Sequence, residues 1–274
     1  MNVTVTGAQG FVGQAVAGLL TARGHEVTGL ARPEWDLTAP GAWSAVPDKT
    51  GIIIHTAAAF ESQSPEEVLW QTNVTSIMGL LHRSRELSRL SHVIFCSSGA
   101  VYSPQEDPVD QTTAPRPHTA YGMSKLLGET MLRHGCAVPV TSLRLFFPFG
   151  AGQNPPRLIP RLIESICSGQ PVKLRDVAGT PRLNPVPVAR VSGFIAELCE
   201  IANSTAGRIF NLGGPVTLTI KELAERIGRR LGREPAFEIE PADGTTSLYC
   251  TPTGVSGTVE EFEDASSAAV ESRL

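Results

Sequence analysis

Short apolar runs alternate with longer stretches of helical period along most of the chain. Asn2-Val-Thr-Val-Thr6, Glu26-Val-Thr-Gly-Leu-Ala31, Gly51-Ile-Ile-Ile-His55, the apolar run 93–96 and Val138–Phe146 read as strands. The unbroken runs read as strands buried on both faces. Between them, Gln14-Ala-Val-Ala-Gly-Leu-Leu20 keeps helical rhythm and stops near Arg23-Gly24. Pro65 to Leu87 reads as one long helix with proline in its first turn, and 121–134 as the next helix. Residues 103–120, rich in Pro and Thr, have neither period and read as a loop. Strand alternating with helix predicts an α/β fold around a parallel sheet. Further on, helices are expected over 154–168, 190–202 and 219–231, with strands at 171–174, just after Arg182, at 208–212 and at 236–240. The expected division is a large unit over 1–165 with 186–212 returning to it, a smaller α/β lobe over 166–185 and 213–250, and a tail over 251–274.

Charge changes the reading of the tail. The whole chain carries −4, and residues 251–274 hold Glu260, Glu261, Glu263, Asp264 and Glu271 against Arg273, also −4. The body is therefore neutral, with no basic footprint for nucleic acid. The tail is expected to be solvated or poorly ordered. Five cysteines, at 96, 136, 167, 199 and 250, show no Cys-x-x-Cys spacing and read as reduced thiols, with no metal site. No run of about 18 apolar residues is present to span a bilayer, and the chain enters a strand directly from Met1, so a cytoplasmic protein is expected.

The candidate chemistry centres on Tyr121-Gly-Met-Ser-Lys125. Residues four apart on a helix share a face, and an ammonium beside a phenol favours the phenolate. The pair reads as a proton-transfer group; alone it also reads as an exposed helical pair. Ser98 ends the strand that contains 93–96. Ligands gather at the carboxyl ends of strands in parallel sheets, so its hydroxyl is placed to bond a substrate oxygen, or else to satisfy turn backbone. Gly7, Gly10 and Gly13 lie between the first strand and the first helix, where glycines let backbone approach a pyrophosphate.

With these residues in this order, the chain resembles the extended short-chain dehydrogenase/reductase family, in its NAD(P)-dependent epimerase/dehydratase group. The resemblance is carried by Thr6-Gly-Ala-Gln-Gly-Phe-Val-Gly13, Ile54-His-Thr-Ala-Ala58, Asn73-Val, Ser97-Ser-Gly-Ala-Val-Tyr102, Tyr121-Gly-Met-Ser-Lys125 with Glu129, and Leu143-Arg144. Weaker similarity runs through Leu158-Ile-Pro160 and Phe210-Asn-Leu-Gly213. It implies a doubly wound, Rossmann-type sheet with a smaller C-terminal substrate lobe. It assigns catalysis to Ser98, Tyr121 and Lys125. It assigns cofactor contact to Gly7, Gly10, Phe11, Val12, Gly13, Thr56, Ala57, Ala58, Tyr121, Lys125 and Pro148. Asp36 and Leu37 are expected to flank the adenine. Asn73 is expected to support the site. Where relatives place a ribose-binding acid, Ala31 stands here and Arg32 follows, so NADP is expected ahead of NAD.

Two departures bear on substrate. Phe147 stands where sugar-nucleotide enzymes often have an amide, and Val188-Ala-Arg-Val191 replaces Val-Asp-Asp-Val. Arg182 matches an arginine that grips a substrate diphosphate. The acids that dehydratases place before Val-Tyr are absent from Ser98-Gly99-Ala100. The expected activity is reduction of a keto group on a nucleotide-activated deoxysugar. The alternatives are a sugar-nucleotide epimerase and, in another class, a non-catalytic NAD(P)-binding scaffold. A homodimer through the 65–87 and 121–134 helices is expected from the resemblance.

Overall fold

A computed structural model describes residues 1–154, 157–201, 207–241, 246–252 and 259–272. Parts of the expected helices 154–168 and 190–202, of the lobe and of the tail lie outside the described residues, at 155–156, 202–206, 242–245, 253–258 and 273–274. The chain forms two compact units. One comprises 1–103, 114–145 and 191–210; the other comprises 104–113, 146–190 and 211–274. The first unit breaks off at 145 rather than at 165 and resumes over 191–210.

The chain runs β1 (Asn2–Thr6), α1 (Phe11–Ala22), β2 (Glu26–Leu30), β3 (Ile52–His55), α2 (Glu66–Trp70), α3 (Ser76–Glu86), β4 (His92–Ser98), α4 (Ala120–Gly135) and β5 (Val140–Leu145). It continues with α5 (Leu158–Ser168), β6 (Val172–Leu174), β7 (Arg182–Leu183), α6 (Val188–Glu200), β8 (Ile209–Leu212), β9 (Leu218–Thr219), α7 (Ile220–Leu231), β10 (Phe237–Ile239) and α8 (Val259–Glu271).

The main sheet has the order β2-β1-β3-β4-β5-β8, and every register among its first five strands is parallel. Ile53, Ile54, Val93 and Ile94 are fully buried, as unbroken apolar runs require of strands covered on both faces. The strand order reverses beside β1, between the ends of β1 and β3, where a doubly wound sheet leaves a crevice. The helix expected over 65–87 is interrupted: a π-helical turn (Gln71–Thr75) separates α2 from α3. Such turns widen the backbone locally and recur at functional sites.

In the second unit, β6 pairs with β10 and β7 with β9. Helix α7 is fixed at its start by a reciprocal cap between Thr219 and Glu222, and its apolar face enters the core through Leu223, Ala224 and Ile227. The helix expected from 154 begins at Leu158. The tail needs correction over 259–271. There α8 carries Phe262, Ala269 and Val270 into the same core, and the Phe262 ring lies 5.3 Å from that of Phe149. Apolar residues at helical spacing, not the acids between them, decide its fate. Glu263 pairs with Arg226 and Arg230 of α7. No helix among the described residues is long and apolar enough to cross a membrane. All five thiols are free.

Candidate active site

The glycine turn occupies the crevice beside β1. Gly7 has φ 70°, and a Cβ there would lie 2.7 Å from the amide nitrogen of Ala57; a Cβ on Gly13 would lie 2.0 Å from the carbonyl oxygen of Gly7. The turn after β1, the turn after β3 and the start of α1 thus meet backbone to backbone. Thr56 seals the junction by donating from Oγ1 to the Thr6 carbonyl at 2.7 Å. Helix α1 has Gly10 at its N-cap, no side-chain cap and no acid in its first turn. Its first amides and positive dipole end suit an anion. These residues fit the pyrophosphate of a dinucleotide.

Ser98 ends β4, and its oxygen accepts from the Ala100 amide at 3.1 Å. The turn-satisfying role is therefore real, and the hydroxyl hydrogen remains for a second acceptor. The first turn of α4 rests on this same serine turn: a Cβ on Gly122 would lie 2.1 Å from the Ala100 oxygen. Glycine in the Tyr-Gly-Met-Ser-Lys run is what lets Tyr121 approach the end of β4. Thr119 caps the helix, accepting from the Gly122 amide at 3.0 Å.

Asn73, in the π-helical turn, exchanges two bonds with Ala59: its Oδ1 accepts from the amide at 2.8 Å and its Nδ2 donates to the carbonyl at 2.9 Å. The same Nδ2 donates to Ser124 Oγ at 3.0 Å, and Ser124 Oγ donates to the Tyr121 carbonyl at 2.7 Å. One buried amide thus ties the turn after β3 to the helix that carries Tyr121 and Lys125.

Lys125 is 2% exposed, and its ammonium sits 4.3 Å from the centre of the Phe95 ring. Burial pulls its pKa down to about 8, against the opposing pull of Cys96 and Glu129. Below it, Glu129 receives a two-pronged bond from Arg144, at 3.0 and 2.7 Å, and Arg144 also donates to the Tyr102 hydroxyl at 2.6 Å. Both partners are almost fully buried. His55 belongs to the core. It is bonded to Thr6 Oγ1 at 2.6 Å, stacked on Phe95, and held neutral by burial, then by the Lys125 charge, with a pKa of about 3.

At the end of β2, Arg32 is exposed. Asp36 is held below the usual carboxylate range, first by the Thr38 amide and hydroxyl that it accepts from and last by Arg32. Leu37 packs with Trp35, Trp43 and Val46, so most of its side chain serves the core rather than standing free for an adenine ring. Phe11, Val12, Thr56, Ala57 and Ala58 are all partly exposed around the crevice. Phe147, Pro148 and Arg182 belong to the second unit. Sequence reasoning missed Phe60 and Glu61, which flank Tyr121 from the loop after β3. Their only signal was proximity in sequence to Ala57-Ala58.

A glycine turn at the switch point of a doubly wound sheet, with serine, tyrosine and buried lysine on a further strand and helix of the same unit, is an arrangement suited to a nicotinamide cofactor. Residues 3–213 match the NAD dependent epimerase/dehydratase family, and the chain belongs to it. D-erythronate dehydrogenase of Cupriavidus necator is 28% identical, over 87% of this chain and 85% of the relative. UDP-glucose 4-epimerase of Corynebacterium glutamicum is 27% identical, over 88% and 84%. The solved structure of MoeE5 with UDP-glucuronic acid and NAD shares the fold at a TM-score of 0.86 and 21% identity, covering 100% of this chain and 99% of that one.

Proposed function

We propose that this enzyme reduces a keto group on a nucleotide-activated deoxysugar and prefers NADP. The observation that carries the reading is Lys125, a buried ammonium on the helix whose first turn the Gly122 contact seats against the serine turn. In this reading Gly7, Gly10, Phe11, Val12 and Gly13 hold the pyrophosphate, Thr56, Ala57 and Ala58 back the cofactor, and Arg32 with Asp36 flanks its adenosine end. Lys125 lowers the pKa of Tyr121 and holds the nicotinamide ribose. Tyr121 gives its proton to the substrate oxygen as that oxygen gains charge, and Ser98 donates its free hydroxyl hydrogen to the same oxygen. A bound nicotinamide supplies the hydride. Pro148 is assigned to the cofactor, and Phe147 and Arg182 to the substrate, as the family resemblance implies. Exposed Met78, Met123 and Leu127 on α3 and α4 are read as the face of a homodimer.

Net hydride transfer is supported by similarity to a dehydrogenase, and its direction, reduction, by Ala31 and Arg32 at the end of β2, which favour the cofactor pool that cells keep reduced. Epimerisation is the second reading, supported by similarity to a UDP-glucose 4-epimerase. Stoichiometry separates the two. A reductase given a 4-keto sugar nucleotide consumes about one NADPH per product, as net hydride transfer requires. Conversion without added NADPH, by protein that retains its cofactor through purification, establishes the epimerase instead. Tyr121→Phe should lower turnover by about 10²–10⁴ while cofactor affinity stays within a few-fold; a fully active variant removes Tyr121 from the chemistry.

A further inference from the structure

Among the described residues, the buried ammonium of Lys125 enters no hydrogen bond and no ion pair. The groups around it are spoken for or uncharged. Glu129, one turn further along α4, has both carboxylate oxygens taken by Arg144 of β5. On β4, burial pushes the Cys96 thiol up to about 12, so it stays protonated. On β3, His55 is neutral, with a pKa of about 3. The π-helical turn presents Asn73, which carries no charge, and Tyr121 is the group that Lys125 serves in the proposed reaction. What the ammonium does have is the face of Phe95, whose ring centre lies 4.3 Å away. That ring is 1% exposed. It is paired across the sheet with His55 and stacked on its imidazole at 5.7 Å. Helix α4 meets the ring edge at Gly128, where a Cβ would lie 2.9 Å from Cζ.

An aromatic face attracts a cation through the ring quadrupole, and the attraction grows where water is excluded. It differs from a carboxylate in one way. An ion pair or a hydrogen bond commits some of the three donors of an ammonium, whereas a ring face stabilises the charge and commits none. We propose that Phe95 is a positioning residue for Lys125: its ring face keeps the buried ammonium charged and leaves its N–H groups free for the ribose hydroxyls of the cofactor. Burial by itself drives a lysine toward the neutral amine, and a neutral amine does not favour the phenolate of Tyr121. The ring opposes that loss from a position where Cys96 and His55, both uncharged, give no help. The inference deepens the proposed function and rests on its reading of Lys125.

The chain has four lysines, at 49, 125, 173 and 221, so labelling the lysine ε-carbon with carbon-13 gives four NMR resonances, and Lys125→Met assigns one of them. The titration of Lys125 is then read directly in the parent, in Phe95→Leu, and in protein carrying a ring-fluorinated phenylalanine at position 95. Fluorine draws charge from the ring face and barely alters its shape. Losing the ring removes support from the charged form, so the titration moves down. The expected shift is about one pH unit in Phe95→Leu, the size of a desolvated cation–π contact, and a smaller step downward in the fluorinated protein. An unshifted or raised titration in the fluorinated protein would overturn the inference, since only the charge of the ring has changed there. That protein also decides the matter if Phe95→Leu does not fold. The pH profile of kcat/KM, with NADPH and a keto sugar nucleotide, is measured separately, and its alkaline limb should move down in step with the titration. A titration that moves while the limb stays in place removes Lys125 from the proposed chemistry and leaves Phe95 as the group that holds its charge.

Discussion

The ring of Phe60 stacks on that of Tyr121, with centroids 4.8 Å apart and planes 29° from parallel. The next residue, Glu61, accepts the Tyr121 amide at 2.5 Å. The loop after β3 thus holds both the backbone and the ring of the proposed proton donor, and it also carries the small residues Thr56–Ala58 assigned to the cofactor. A stacked pair contributes about 0.5–1.5 kcal/mol beyond its burial. Phe60→Ala should therefore lower kcat by about two- to tenfold, at roughly 1.4 kcal/mol per decade, with little change in NADPH affinity. Phe60→Tyr should keep most of the rate. Equal rates for the parent and Phe60→Ala would show the stack to be incidental.

Gly122→Ala sets two effects against each other. Alanine favours an isolated helix over glycine by about 1 kcal/mol. Yet the new Cβ would meet the Ala100 oxygen at 2.1 Å, and backbone would have to move. Overpacking costs about 1–3 kcal/mol, and a shift of about 1 Å at a reacting group can cost 10²-fold in rate. The variant should lose both Tm and most of its kcat/KM. A more stable and fully active variant would contradict the close approach of α4 to the serine turn.

Lys125 should cost the fold stability that its function requires. Its folded pKa of about 8 lies below the ordinary 10.5 because burial penalises the charged form. Between those values the unfolded chain binds more protons than the folded one, so this residue's contribution to stability rises with pH across that window. Below about 8 the penalty is present in full, on the order of 3 kcal/mol for a shift of this size. Lys125→Met should therefore be more stable than the parent near pH 7 and lose activity. The gap should narrow as pH rises from 8 to 10. Denaturant melts across pH check this, and a variant less stable at pH 7 would refute it. Parent activity should fall as the ammonium is lost above about pH 8.

Cofactor choice is expected to lie at the end of β2. Arg32→Ala should weaken NADP by about tenfold or more, the size of a charged hydrogen bond, and leave NAD nearly unchanged. Ala31→Asp should swing the preference to NAD. Dissociation constants measured by fluorescence titration decide the matter. Equal NAD and NADP affinities, unmoved by Arg32→Ala, would remove the arginine from this role.

The sequence by itself determined what local pattern can carry. Unbroken apolar runs at 52–55 and 93–96 had to become strands covered on both faces. The glycines at 7, 10 and 13 marked a close turn between strand and helix, and the common helix of Tyr121 and Lys125 was legible because local spacing sets it without reference to any other segment. The tertiary structure alone decided the rest. It set β1 between β2 and β3, which places the crevice. It seated Gly122 on Ala100, joined Asn73 to both Ala59 and Ser124, and brought Phe60 over a ring far along the chain. It buried Phe262 in a segment whose charge suggested a solvated tail, and it held Phe147 in a left-handed turn. The reason is physical. Periodicity reports which face of an element is covered, and composition reports what water will tolerate. Neither names the distant segment that does the covering, because that choice is made by packing between elements far apart in sequence.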